Sequence, residues 1–474
     1  MSLISPHRAL PETLPLQSEL GWPALRSLAP QKENLGQQLR SLLRPTVRQL
    51  RAWWRDVSAR SVHAQLAALH RQHDDLTLAM RQLTRPHRAA SRGVPEGRVQ
   101  KLVWVSSWQT RCGIAEYSRH LIEALVGQTS WQISVLHDDR PTLPQVTALE
   151  GVSARSAFTA AMGTSVGRLA LQIAVEDADC VVVQHNGGMI PWKMLAELLL
   201  HPLLVGVRFV VVLHNTADIL RLRPALQQQL HQALRAAALV VVHTQRDIGL
   251  INAFGLSHVR RIPQGCPSGG EAAVPRKLLP QHAPVIGCTG FLMRHKGVRD
   301  LIRAASDLRA TWPRLRLRLV MSHYGSRGSE AEWRACKSLA RKLRFEDHIE
   351  WHTGFLPEAD TLALLQGCDL IVLPYQHSEE SSSAAARMAV ASGVPTLVSD
   401  LPIFDDLGDA VGRVNHVTPG GLPGQVAEWL HAPLRRGQLQ ARAQTWRALH
   451  EWEVIAEVMA AAINRLPPPR RQDV

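Results

Sequence analysis

Residues 373–406 concentrate the side chains whose types and spacing could do chemistry. They follow Leu370, Ile371, Val372 and Leu373, a short apolar run of the kind that forms a buried strand. Glu379 and Glu380 come next, then Ser381, Ser382 and Ser383, then three alanines. Small side chains there let a backbone approach a ligand closely. A helix starting at about Ser382 would aim free N–H groups at an anion. An ordinary strand-to-helix loop capped by serine explains the serines equally well. A glutamate pair at a helix start is likewise favourable whatever it binds. Asp405 and Asp406, after Pro402, read as a helix start rather than a metal site.

A second chemical segment is 285–298, VIGCTGFLMRHKGV, where Lys296 precedes Gly297 at an expected helix start and Arg294 lies two residues earlier. Three histidines end apolar runs: His185 after 180–184, His214 after 209–213 and His243 after 239–242. Ligands of parallel sheets bind outside the carboxyl ends of the strands, which raises the interest of these three. A histidine taken alone is more often structural.

The elements that must position these groups alternate. Strands are expected at 101–105, 133–136, 180–184, 209–213 and 239–243, then at 285–288, 316–321, 349–352, 370–373 and 396–398, with helices between. Short apolar strands spaced by helical stretches make parallel, helix-covered sheets. The Gly- and Pro-rich stretch 264–284 separates the two sets. The expected fold class is therefore α/β: two Rossmann-like, doubly wound domains facing a cleft. They are divided as 99–268 and 269–438, and residues 439–474 form a last helix at about 439–465 and a disordered tail. Residues 1–98 differ. Leu39, Leu42, Leu43, Val47, Leu50 and Trp54 fall at helical spacing, Pro45 interrupts them, and a second helix is expected over 61–83 before a Pro/Gly/Arg-rich linker at 86–97. This N-terminal helical extension has basic amphipathic faces that suit a membrane surface or helix pairing. Its broken apolar stripe favours packing on the body or on another copy.

A chain of 474 residues with 45% hydrophobic and 20% charged residues is long enough for two or three cores. No apolar run approaches the roughly 18 residues of a membrane span. The start, MSLISPHRALPETLPL, lacks a secretory pattern. Six cysteines stand singly at 112, 180, 266, 288, 336 and 368, without a C-x-x-C pair, so zinc and disulfide frameworks are not expected and a reducing cytoplasm fits. The net charge of +14 and pI near 10.3 suit acidic partners, although arginine bias alone accounts for them equally well. No zinc finger, aromatic RNA motif or lysine-rich tail supports nucleic-acid binding.

The segment around Glu380 resembles the nucleotide-sugar half of the family 4 retaining glycosyltransferases, which have the GT-B fold. Their signature is a glutamate, a glycine-rich loop, a second glutamate and a small-Gly-x-Pro turn. Alignment on Gly393, Val394 and Pro395 puts the first glutamate at Glu380 and the second at Met388, so half of the pair is missing. Residues 285–298 resemble the family's Gly-Arg loop and Lys-Gly helix start. Lys296 matches the lysine on the donor diphosphate, Phe291 stands where an arginine is usual, and Arg294 could replace it. Residues 104–118, WVSSWQTRCGIAEYS, resemble the first loop, where Gly113 opens the cleft.

The resemblance covers 98–464 and implies a retaining transfer from a nucleotide sugar to a glycan or lipid-linked acceptor in cell-envelope or exopolysaccharide synthesis. It also implies that the last helix crosses back to the first domain and that no metal or other cofactor is needed. Lys296, Arg294 and the N–H groups of Ser381, Ser382 and Ser383 would neutralise the leaving diphosphate. Glu380 would bind sugar hydroxyls, and His185 or His214 would meet sugar and acceptor from the other domain. The expected location is cytoplasmic, with peripheral contact at the inner membrane face. Met388 and Phe291 leave open a noncatalytic GT-B scaffold, and another GT-B enzyme such as a sugar phosphorylase or nucleotide-sugar epimerase is also compatible.

Overall fold

In a computed structural model the chain is described over residues 99–139, 149–159, 166–269, 274–275, 277–415 and 421–467. The helices and linker expected before residue 98, and the tail after 467, lie outside the described residues.

The first half alternates as the apolar runs require: β1 (Lys101–Ser106), α1 (Gly113–Gln128), β2 (Gln132–Asp138), β3 (Val152–Phe158), α2 (Val166–Glu176), β4 (Cys180–His185), α3 (Trp192–Leu199), β5 (Phe209–Leu213), α4 (Pro224–Ala236), β6 (Leu239–Val242), α5 (Gln245–Ala253) and β7 (Val259–Arg261). All pairings are parallel, in the order β3-β2-β1-β4-β5-β6-β7. Strands β4 and β5 are buried along their whole length, which is why they read as continuous Val-rich runs. The two strands missed in the sequence are β3, a largely exposed edge with sequence VSARSAF, and β7, with sequence VRR. An edge strand buries one face at most, so its apolar signal is weak.

The second half repeats the plan: β8 (Val285–Phe291), α6 (Val298–Leu308), β9 (Arg316–Ser322), α7 (Arg327–Lys342), β10 (Ile349–His352), α8 (Glu358–Gln366), β11 (Leu370–Leu373), α9 (Ala384–Ala391), β12 (Thr396–Ser399), β13 (Gly412–Val414) and α10 (Gly421–His431). The sheet order is β10-β9-β8-β11-β12-β13, again all parallel. In each sheet the order reverses beside the first strand, between β1 and β4 and between β8 and β11. Such reversals leave a crevice at the carboxyl ends of the strands. The sequence missed β13 as well, because its three residues are too few to leave a periodic trace.

The single last helix expected at 439–465 is two helices, α11 (Pro433–Ala448) and α12 (Trp452–Asn464). Leu439 and Ala443 of α11 belong to the core of the second sheet. Trp452, Ile455, Met459 and Ile463 of α12 belong to a core of the first. One straight helix cannot serve both cores, so the chain breaks at Leu449 to Glu451. There Cys266 N–H donates to the His450 carbonyl at 2.6 Å. The connecting chain is equally constrained, since a Cβ on Gly265 would stand 2.2 Å from the Trp452 ring.

Candidate functional site

The second sheet brings its two chemical segments together at the β8–β11 reversal. Gln376 N–H donates to the His295 carbonyl at 2.8 Å, tying the loop after β8 to the loop after β11. Gly297 has φ +72°, and a Cβ there would lie 1.9 Å from the Pro374 carbonyl oxygen. Only glycine permits both that dihedral and that approach. Lys296 ends a 3-10 turn, Arg294–Lys296, with Gly297 and then α6 behind it. Its ammonium lies 3.9 Å from the centre of the Tyr375 ring. Burial alone lowers its pKa, but Tyr375 and then Glu380 outweigh that and hold it above the ordinary lysine value. Lys296 is therefore a stable cation at the bottom of the crevice. Arg294 is exposed on the same turn.

The serine run divides into three different environments. Ser383 is the N-cap of α9, accepting from Ala386 N–H at 3.2 Å, and its hydroxyl lies 3.3 Å from Tyr375 Oη. The helix thus begins at Ala384, slightly later than expected. Ser382 Oγ is buried with no hydrogen-bond partner among the described residues. Ser381 Oγ donates to Asp247 Oδ1 at 2.8 Å, across the cleft in the first domain. Glu380 is exposed between these serines and Glu379, which pairs with Arg221 of the first domain at 2.6 Å.

The first domain offers a different kind of surface. Gly113 opens α1 and a Cβ on it would meet nothing within 4 Å. Helix α1 is held to β1 by Trp104 Nε1 and Ser106 Oγ, at 3.1 and 2.7 Å from Ser118 Oγ. His214 and His243 form an internal chain. His243 Nδ1 donates to the Ile262 carbonyl at 2.9 Å, so its Nε2 accepts from His214 Nδ1 at 3.1 Å. A neutral His214 then needs a donor at Nε2, where the Gln184 side chain places its oxygen Oε1 at 2.8 Å. The amide nitrogen, which otherwise has no partner among the described residues, meets that need when it faces the ring. Burial, then the neighbouring His243 and His185, hold His214 well below the ordinary histidine value. Burial also lowers His243.

His185 differs again. Its ring is fully buried, 3.8 Å centre to centre from Trp192, and neither nitrogen has a hydrogen-bond partner among the described residues. Burial pulls its pKa down to about 3, against a weaker opposing influence from the Ile190 backbone, which does not reach hydrogen-bond geometry. Both predicted histidines are thus buried, neutral rings. His214 is committed on both nitrogens and His185 on neither.

Two residues that depart from the family pattern are packed among apolar neighbours. Phe291 stands edge-on to Tyr324 and near-parallel to Phe355, with centres 5.1 and 6.2 Å away. Met388 packs against a cluster of Cys266, Leu362 and Ala391. Sequence reasoning missed Asp247, Tyr375 and Arg387. Asp247 carries a readable local signal, the Thr244-x-x-Asp247 capping box at the start of α5. Arg387 carries none: it forms a fully buried pair with Asp406 and donates to the Gln264 and Ser383 carbonyls at 3.3 Å. Asp406 lies in a 3-10 segment, Pro402–Ala410, facing that arginine. Among the described residues no group of three or more His, Cys, Asp or Glu could hold a metal ion, and no helix is long and apolar enough to cross a membrane.

Comparisons with known proteins bear on the fold and the family likeness. Residues 271–443, which contain Lys296 and the 379–383 loop, match the model of the family described as glycosyl transferases group 1. A 2-deoxystreptamine glucosyltransferase from Streptomyces kanamyceticus is 29% identical over 53% of this chain and 66% of its own length. A D-inositol 3-phosphate glycosyltransferase from Corynebacterium aurimucosum is 32% identical over 28% of this chain and 31% of its own length. The chain thus spans between about a third and two thirds of these curated relatives. Among solved structures, sucrose-phosphate synthase from Thermosynechococcus elongatus superposes with TM-score 0.60 at 17% identity, over 77% of this chain and 99% of that one. Anabaena HepE in complex with UDP superposes with TM-score 0.61 at 15% identity, over 77% of this chain and 100% of that one. The fold is GT-B.

Proposed function

We propose that this chain is a retaining glycosyltransferase that moves a sugar from a nucleotide-sugar donor to a glycan or lipid-linked acceptor. The observation that carries the reading is the convergence of Lys296, Glu380 and the start of α9 on one crevice at the β8–β11 reversal. A departing nucleoside diphosphate needs its charge neutralised. Lys296 supplies a fixed cation, and the first turn of α9 supplies N–H groups that the helix itself cannot bond. Glu380, exposed beside them, can accept hydrogen bonds from two sugar hydroxyls. The chemistry asks for no metal. Cell-envelope or exopolysaccharide synthesis, a cytoplasmic location and a peripheral membrane contact belong to the same proposal.

A second reading has one specific observation in its favour. Phe291 and Met388 stand where the family pattern has polar donor contacts, and both are packed among apolar groups. That packing suits a GT-B scaffold that binds a nucleotide without transferring sugar.

Thermal-shift titration with UDP, GDP and ADP tests the shared part, because binding to the native state raises Tm by mass action. The matching nucleotide sugar is then followed for slow hydrolysis. Stabilisation with turnover supports the enzyme, stabilisation without turnover the scaffold, and no stabilisation by any of the three sinks both. The anomeric configuration of the product, read by NMR, decides whether transfer is retaining.

A further inference from the structure

The loop that carries Glu380 is fastened to the opposite domain on both sides. Before it, Glu379 pairs with Arg221 at 2.6 Å; after it, Ser381 Oγ reaches Asp247 Oδ1 at 2.8 Å. The first tie is exposed and the second is buried. Asp247 is 2% exposed, and its carboxylate is saturated by neighbours of fixed polarity. Oδ1 also accepts from Thr216 Oγ1 at 2.5 Å, while Oδ2 accepts from Thr244 N–H at 3.1 Å and Thr244 Oγ1 at 2.6 Å. A carboxylate accepts and does not donate, so the Ser381 proton is committed to Asp247. Three of these bonds come from the first domain and hold the carboxylate rigid without help from Ser381. The serine is therefore the guest at a prebuilt acceptor, and its bond fixes where the 379–383 loop can lie.

We infer that Asp247 is a positioning residue: through Ser381 it holds the Glu380 loop against the first domain, so that the sugar-binding carboxylate is placed only while the two domains are joined there. The inference rests on the donor-site reading of Glu380 for its functional half. It goes beyond that reading in assigning a role to a residue of the other domain that touches neither donor nor acceptor. Lys296 lies over the Tyr375 ring of its own domain, so its hold on a diphosphate does not need the tie. Placement of the sugar does.

The test uses the full chain and the nucleotide sugar whose diphosphate it binds. Ser381→Ala removes the donor while leaving the α5 cap intact. Its kcat should fall about tenfold, the worth of one charge-assisted hydrogen bond, with diphosphate Kd changed by less than about threefold. Asp247→Asn should fall similarly, and the double variant should be no worse than Asp247→Asn alone, because both break one interaction. Ser381→Thr, which keeps the hydroxyl, should restore most of the rate. If Asp247 only caps α5, Ser381→Ala keeps its kcat and the two effects add, which overturns the inference. If the unaltered chain turns over no donor, the donor-site reading has failed. Limited proteolysis then decides the tie by itself: cleavage within 377–383 should quicken in Ser381→Ala, and an unchanged rate rejects it.

Discussion

The two halves of the cleft occupy equivalent places in two equivalent sheets, yet their polar residues meet opposite fates. In the first domain the strand-end histidines turn inward. They are buried and neutral, and two of the three bond to each other. In the second domain Lys296 and the three serines are also buried, but Lys296 keeps its charge and Glu380 beside them is exposed. The difference lies in the loop after each strand. After β5 and β6 the histidines meet one another across neighbouring strands, so they satisfy themselves. After β8 and β11 the loops instead meet each other at Gly297 and Pro374, and Lys296 lies over the Tyr375 ring. Strand-end position alone therefore does not decide whether a polar residue is satisfied internally; the packing of the succeeding loop does.

The largest expected effect separates the halves by pH. A histidine whose folded pKa is depressed is neutral when folded and takes up a proton on unfolding. Its stabilisation is present above the unfolded value near 6.5 and is lost as pH falls below it. His185, His214 and His243 are all lowered, His185 to about 3. His185 should cost roughly 1.4 kcal/mol per pH unit between about pH 6.5 and its folded value, and His214 and His243 act in the same direction. Calorimetric Tm should drop steeply from pH 7 to pH 5, and His185→Phe should flatten that slope. A Tm independent of pH over this range would dissolve the contrast between the halves.

Lys296→Ala should weaken nucleoside diphosphate binding by about two orders of magnitude, in line with roughly 1.5–3 kcal/mol for each charged hydrogen bond lost. Isothermal calorimetry reads this directly, and unchanged affinity would move the anion site elsewhere. His214→Ala should act on stability instead. It strands Gln184 and His243 and should cost about 1–3 kcal/mol in denaturant unfolding, with diphosphate affinity unchanged. A loss of affinity in that variant would place the histidine in the site after all.

Glu380→Gln should lower turnover by about tenfold or more, near 1.4 kcal/mol, with Tm almost unmoved because the side chain is exposed. Glu379→Gln, which loses only an exposed ion pair, is the smallest effect and should stay within about threefold in rate. Equal behaviour of the two would show that the alignment through Gly393 is out of register.

Much of this was legible in the chain itself. Val-rich runs announced the central strands, because a parallel strand buried on both faces must be apolar throughout. The Lys296-Gly297 pair was read as a helix start, and α6 does begin just behind it. The order of the motifs resembled one family, and the GT-B fold followed. Edge strands β3, β7 and β13 were lost because a half-exposed or three-residue strand leaves no periodic trace. The break between α11 and α12 was also invisible. Nothing local stops the helix there; two separate cores claim its two ends.

Only the tertiary structure decided which polar residues face one another. The sequence placed His185, His214 and His243 at strand ends but carried no account of their burial. It offered Ser381, Ser382 and Ser383 as equivalents, whereas one bonds across the cleft, one has no partner among the described residues and one caps a helix. It was silent on the pairing of Arg387 with Asp406 and of Ser381 with Asp247. Local sequence fixes backbone preference and periodicity, which act over a few residues. Desolvation and charge pairing depend on neighbours brought in from distant parts of the chain, and these are defined only once both sheets have formed.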